Sequence, residues 1–330
     1  MVGLGRNFKN SLLLEHLDGQ EKIAFIKGGM DLASINPIVL RKARTNIERQ
    51  IKMILDLGLT HLELDSDSTD AYLSFDPERR RQINELAKSS GLTLSLNLPC
   101  SFINGGVCSL KEDDRKTAIE IQKRNIQFAA DIGAKYVNLY PGNVPPENRA
   151  GNYKELVHQS LFNSLLELGK FANELGLAFH LENNTAFEGI CNDINDCVAI
   201  VKEVREQGVP MYFNFDIGNW LTNAEFSRHM SAQPENLLMQ IPPDYIKELH
   251  LSDYVPGEMV FRPPLHLEWG LLKHYNLEHY ARLTKIKKAE TVVLETEMKS
   301  IEQALNFKDV LRAETDYVLN IFQVKLSTAG

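Results

Sequence analysis

Cysteine is scarce in this sequence: Cys100, Cys108, Cys191 and Cys197 are the only four, and none of them forms a CxxC pair. No disulfide framework is expected from so few, and the chain reads as a cytoplasmic protein with reduced thiols. Long apolar runs are missing as well. The N-terminal SLLL (11–14) gives way at once to Glu15, His16 and Asp18, so the apolar stretch and cleavage site of a signal peptide are absent. Nothing approaches the ~20 apolar residues of a membrane span, and no membrane association is expected. Positive charge is in deficit, with 36 Lys and Arg against 44 Asp and Glu and a net charge of −8. Binding to phosphate backbones needs clustered cations, so a nucleic-acid partner is disfavoured. Finally, no Gly/Ser linker or low-complexity tract divides the 330 residues. A single domain is therefore expected, and α/β barrels of about 200–250 residues or more form single domains routinely.

What the chain does have is a rhythm. Short apolar runs recur along its length: IAFIKGG (23–29), HLELD (61–65), TLSLNLP (93–99), KYVNLYPG (135–142), AFHLEN (178–183), MYFNFDIG (211–218), ELHLSD (248–253) and TVVLETE (291–297). They are rich in β-formers and most close on Pro, Gly, Asn or Asp, as strands do. Between them, 46–59, 79–92, 114–134 and 160–177 carry apolar residues at helical spacing and end near Gly58, Gly91, Gly133 and Gly176. Strands alternating with helices imply right-handed βαβ units and a parallel sheet, and eight strands close a barrel. The expectation is one α/β domain, a (β/α)₈ barrel over 23–330 preceded by an N-terminal extension, 1–22.

Within the strands, polar and apolar residues alternate. Leu62 and Leu64 oppose Glu63 and Asp65, Leu181 opposes His180 and Glu182, and Phe213 and Phe215 oppose Asn214 and Asp216. Leu249 and Leu251 oppose His250 and Ser252, while Val292 and Leu294 oppose Glu295 and Glu297. An antiparallel sheet with one wet face would give the same pattern, but the helical crossovers contradict it. In a barrel the apolar set packs on the helices and the polar set points inward. Inward carboxylates and imidazoles are costly to bury unless they are paired or bind a metal. They gather at the C-terminal strand ends, where barrel active sites lie.

The ordered strand ends LPC, YPGN, LENN, FDIGN, HLSD and LETE resemble those of the xylose isomerase-like barrel superfamily, over nearly the whole chain from about 23 to about 300. That superfamily includes sugar isomerases and epimerases, inosose dehydratase-like lyases and endonuclease IV. The resemblance implies one divalent metal held by Glu182, Asp216, His250 and a glutamate of the eighth strand. Glu295 is favoured there over Glu297 because it comes first after the apolar run. Three carboxylates with one imidazole suit Mn²⁺ or Mg²⁺, with Zn²⁺ or Co²⁺ as alternatives. The implied activity is isomerisation or epimerisation of a small carbohydrate, with Glu182 and Glu295 as proton carriers. The alternative is a lyase, including dehydratases and C-glycoside-cleaving enzymes, with His180, Tyr140 or His266 protonating the leaving group. Glu63, Asn183, Asn219, Arg262 and His266 are substrate-binding candidates, and Asn184 and Asn143 are further ones by location. Glu63 has a second reading, an ion pair with Lys27 of the first strand. Trp220 and Trp269 fit pocket walls or the subunit contacts of a homo-oligomer. Endonuclease IV-like members require further histidines. Here Asn97, Tyr140 and Asn219 stand in those places, which argues against a trinuclear zinc cluster and against DNA as substrate.

Overall fold

Alternation leaves most of these strands with one apolar face, and such faces are buried together when a sheet closes and helices cover its outside. In the computed structural model, which describes residues 2–8, 11–28, 36–66, 72–100, 103–226 and 234–327, this is the arrangement adopted. The barrel strands are β1 (Gly3–Asn7), β2 (His61–Asp65), β3 (Thr93–Asn97), β4 (Tyr136–Leu139), β5 (Ala178–Glu182), β6 (Tyr212–Asp216), β7 (Ile246–Leu251) and β10 (Thr291–Glu295). They are parallel and closed in the order β1-β10-β7-β6-β5-β4-β3-β2. Two short strands, β8 (Tyr254–Val255) and β9 (Val260–Phe261), pair as an antiparallel ribbon in the loop after β7. The molecule is thus a single-domain (β/α)₈ barrel.

The helices expected between strands are present with shifted ends. Ile47–Asp56 starts at the N-cap Asn46, whose side chain accepts from the Arg49 N–H, and the left-handed turn after it falls on Gly58 at φ 74°. No described helix is long and apolar enough to cross a membrane. Leu62, Leu64, Phe179, Leu181, Phe213, Phe215, Leu249, Leu251, Val292 and Leu294 are buried between sheet and helices. Each buried side chain of that size stabilises the fold by ~1.5–3 kcal/mol. The interior differs from the common barrel filled with Val, Ile and Leu. It holds Glu63, Ser95, Asn97, Asn138, His180, Glu182, Asn214, Asp216, Glu248, His250 and Glu295, all buried.

The first strand is the correction. Segment 23–29 is not a strand: Gly19–Lys27 is a helix, opened by a reciprocal capping box between Asp18 and Glu21, and Gly29 lies outside the described residues. The barrel begins at Gly3, so residues 1–22 are not an extension apart from it, and the boundary drawn at 22 falls inside that helix. Short apolar runs such as IAFIK fit helix and strand equally, and the cap decides between them. The true strand, GLGRN, has a single large apolar residue, so periodicity does not show it. Its glycines have a reason at Gly5, where a Cβ would lie 2.7 Å from the His61 Cβ, Cδ2 and carbonyl oxygen. A pairing of Glu63 with Lys27 falls with the misplaced strand.

Arg6 and Glu314, both buried, pair at 2.8 Å and tie this first strand to the C-terminal helix Phe307–Ser327. The Gly5 contact gives a direct check on the N-terminal strand. Since two of the opposing atoms are the His61 Cβ and backbone oxygen, Gly5→Ala is expected to lower the unfolding free energy by ~1–3 kcal/mol in urea titrations. Unchanged stability would show that residues 3–7 do not form the barrel wall.

Candidate metal centre

Parallel pairing brings the strand ends side by side. Asp216, the last residue of β6, is in register with His250 on β7, and Glu182 and Glu295 end β5 and β10 on either side. Ligand atoms of Glu182, Asp216 and His250 lie within 4.8 Å of one another. Nδ1 of His250 stands 3.4 Å from Glu182 Oε2 and 3.7 Å from Glu295 Oε1. All four side chains are fully buried. Atoms bound to one ion at about 2.0–2.2 Å are at most ~4.4 Å apart, so both separations fit a shared cation. A further sign is that His250 Nδ1, though buried, makes no hydrogen bond.

Neighbouring groups fix the carboxylates. Asp216 Oδ1 accepts from Ser252 Oγ at 2.8 Å and from the Asn219 backbone N–H at 3.1 Å. Asn183 is clamped on the Asp216 backbone, donating to its carbonyl at 2.9 Å and accepting from its N–H at 2.8 Å. Asn219 donates to Glu182 Oε1 at 3.4 Å and to the Asn183 carbonyl at 3.0 Å. Arg262 follows the β8–β9 ribbon at φ 51°, an uncommon backbone state for a side chain of its size. Hydrogen bonds from its N–H to the Asp253 carbonyl and from the Glu297 N–H to its own carbonyl, both 2.9 Å, hold it there. Its guanidinium donates to Glu295 Oε2 at 2.8 Å, to Asp216 Oδ2 at 3.3 Å and to Asn219 Oδ1 at 3.3 Å.

The charges are strongly coupled. Burial pushes the Glu182 carboxyl up to about 7, against the pull of His250. Burial would depress the His250 imidazole, but the surrounding Glu63, Glu182 and Glu295 carboxylates outweigh it and hold the ring well above the usual histidine value. Such crowding of like charges in a closed site is the environment in which a cation or a transferable proton is stabilised.

The structure sorts the other candidates. Glu63 is not at the mouth. It lies beneath His250, its Oε2 3.1 Å from Nε2, and it accepts from Asn7 and Asn138. Asn184 supports loops, donating to the Gly142 and Ile190 carbonyls, and Asn143 accepts from Arg149. Glu297 is one-fifth exposed and pairs with Lys299 at 2.6 Å, leaving Glu295 as the glutamate of β10 that reaches His250. His266 sits in the turn Leu265–Leu267, where burial lowers its basicity and its charged neighbours are Glu314 and Arg6. No described contact joins it to the four-residue cluster. His180 is a layer further down, hydrogen-bonded to Asn138 at 2.8 Å and, through burial, neutral down to about pH 3. Trp220 is buried, and Trp269 is half exposed. One inward residue escapes a reading centred on strand ends: Glu248, fully buried near His250. Its position two residues before His250, on the same strand face, is the signal that could have found it.

Three solved structures share the shape of this chain. IolI, crystallised with a bound zinc atom, matches with TM-score 0.67 at 16% identity, covering 98% of this chain and 99% of that one. D-psicose 3-epimerase in the presence of D-fructose matches with TM-score 0.64 at 13% identity over 97% and 99%. The 3-keto-D-glucoside 4-epimerase YcjR from E. coli, in its apo form, matches with TM-score 0.62 at 13% identity over 96% and 100%. At these identities the likeness is one of fold. Among curated proteins none matches the sequence. The model of one family does match, over residues 51–315, most of the chain. The chain belongs to the xylose isomerase-like TIM barrel family.

Proposed function

We propose that the protein is a metal-dependent isomerase or epimerase of a sugar or sugar derivative, with the metal held by Glu182, Asp216, His250 and Glu295. The observation that carries this reading is the buried, unbonded Nδ1 of His250, facing carboxylates from β5 and β10 at the barrel mouth. Solved structures of similar fold include sugar epimerases, which supports a small carbohydrate as substrate. Three oxygen donors and one nitrogen suit Mn²⁺ or Mg²⁺.

A divalent ion held by these four residues would supply Lewis-acid polarisation of a carbonyl and the adjacent hydroxyl, which would acidify the C–H between them. The chain's residues do the rest. Glu182 and Glu295 approach His250 from different strands, so one carboxylate can remove the proton and the other return it from the opposite face, through an enediolate. In the cation-free site burial pushes the Glu182 carboxyl up to about 7, and a bound divalent ion would favour its deprotonated, proton-accepting form. Asn183 and Asn219 keep Asp216 and Glu182 in place, and Arg262 brings a fixed positive charge to the edge of the site.

Metal analysis and solvent-deuterium exchange test this reading. Wild-type protein should hold one divalent ion per chain, and Asp216→Asn or His250→Ala should lose it while remaining folded by circular dichroism. With a panel of ketohexoses in D₂O, Glu182→Gln and Glu295→Gln should stop α-proton exchange, whereas Glu297→Gln should keep it and mainly weaken substrate binding. Full metal content in the Asp216 or His250 variants sinks the ligand assignment. Exchange surviving in Glu295→Gln but not in Glu297→Gln shows that the other glutamate is the proton carrier.

A pH dependence follows for the cation-free protein. The folded Glu182 value of about 7 exceeds its ordinary 4.5, so the folded state binds the extra proton and stability declines as pH rises through that window. His250, also raised, adds a decline that begins above its ordinary 6.5. The melting temperature of chelator-treated protein should therefore fall from about pH 5 to about pH 8, and excess Mn²⁺ should flatten the slope because it binds the deprotonated ligands. Equal slopes with and without Mn²⁺ would contradict a metal on these groups.

A further inference from the structure

Below the centre lies a second set of buried donors. Glu63, Glu248 and His250 bring two carboxylate oxygens and a ring nitrogen within 4.8 Å of one another. On composition alone this set is as good a cation seat as the one above it. The two share His250, and the imidazole settles their relation. A neutral imidazole carries one N–H and one bare nitrogen, so it can offer a lone pair to only one side.

The upper nitrogen, Nδ1, makes no hydrogen bond. The lower one, Nε2, is 3.1 Å from Glu63 Oε2, 3.4 Å from Asn138 Nδ2 and 3.6 Å from Glu248 Oε1; the two N–H groups of Asn138 are spent on the carboxylates at 2.5 Å, so Glu63 is the partner at hydrogen-bonding length. The lower oxygens are already served by N–H donors. Asn138 Nδ2 donates to both Glu63 Oε2 and Glu248 Oε1 at 2.5 Å, and Asn7 Nδ2 donates to Glu63 Oε1 at 3.0 Å. The Asn138 amide is oriented in turn, because its Oδ1 accepts from His180 Nδ1 at 2.8 Å. A chain of hydrogen bonds thus runs from β5 through β4 to Glu63 on β2 and ends on the underside of His250.

We infer that Glu63 is a positioning residue for His250: its carboxylate accepts a hydrogen bond from the Nε2–H, which locks the ring with bare Nδ1 facing upward, and the lower set is not a second cation seat. A carboxylate behind a ligating histidine fixes the tautomer and raises the basicity of the other nitrogen, and its loss typically weakens metal binding 10–100-fold. The inference rests on the metal centre proposed above. It also gives Glu63 a task other than substrate binding.

The test uses metal alone, without substrate. Wild-type, Glu63→Leu, Glu63→Gln and Glu248→Gln proteins are titrated with Co²⁺ against a competing chelator, with bound metal counted per chain. Histidine tautomers are read by ¹⁵N NMR of Zn²⁺-loaded, ¹⁵N-histidine-labelled protein. Wild type should bind one ion, with His250 protonated on Nε2. Glu63→Leu should weaken Co²⁺ binding by roughly 10–100-fold and lose the single tautomer. Glu63→Gln, which keeps an acceptor oxygen without its charge, should keep the tautomer and lose less affinity, and Glu248→Gln should change least. Two ions per chain in wild type, falling to one in Glu63→Leu, would overturn the inference and make the lower set a second seat. Affinity within twofold of wild type in Glu63→Gln would also overturn it, and this holds even if the leucine variant does not fold. Wild type that binds no Co²⁺ overturns the centre itself, an outcome distinct from a failure of Glu63 alone.

Discussion

Inside the barrel, one imidazole lies between two layers of carboxylate. Glu182 and Glu295 approach His250 from the mouth side, Glu63 and Glu248 from below, and all are removed from water. A neutral ring carries its one proton on only one of its two nitrogens, so with a cation on the mouth side the two layers are not equivalent. Most other polar choices in the interior follow from that asymmetry. Asn138 and Asn7 satisfy the lower carboxylates, Asn214 and Asn219 approach Glu182, and Ser252 and Asn183 hold Asp216.

An interior so polar puts the burden of stability elsewhere. Buried polar groups without partners destabilise a fold by ~1–3 kcal/mol each, so the hydrogen-bond network offsets a penalty more than it adds stability. The net driving force comes from the apolar layer between sheet and helices, where Leu, Val and Phe alternate with the inward polar set. This division of labour separates fold from chemistry: the outer layer tolerates any well-packed apolar residues, while the inner layer specifies the site. Solved structures that share 13–16% of residues with this chain nonetheless follow the same barrel over nearly its full length.

The mouth adds a contribution from outside the barrel wall. Arg262 reaches Glu295 and Asp216 from a left-handed position after a two-stranded ribbon, and Asp253 and Glu297 hold its backbone from both sides. Uncommon backbone states persist where surrounding contacts over-determine them, and they cluster at functional sites. Here they place the Arg262 guanidinium against the Glu295 and Asp216 carboxylates.

The sequence by itself determined the barrel and the face on which its chemistry lies. A two-residue period in a parallel strand assigns every second side chain to the interior, so Glu182, Asp216, His250 and Glu295 could be read as inward neighbours before any coordinates. It did not show the first strand, because GLGRN succeeds through what glycine lacks: Gly5 leaves the space that His61 fills. Nor could periodicity rank residues that share a face. Glu295 and Glu297 point the same way along the chain, and only tertiary contacts send one to His250 and the other to Lys299. Glu63, legible as an inward polar group, and Asn183, a candidate by location alone, are committed in the structure to His250 and to the Asp216 backbone. Direction along a strand is a local property and is written in the sequence, whereas the partner a side chain meets is set by strands far apart in the chain, and only the closed barrel decides it.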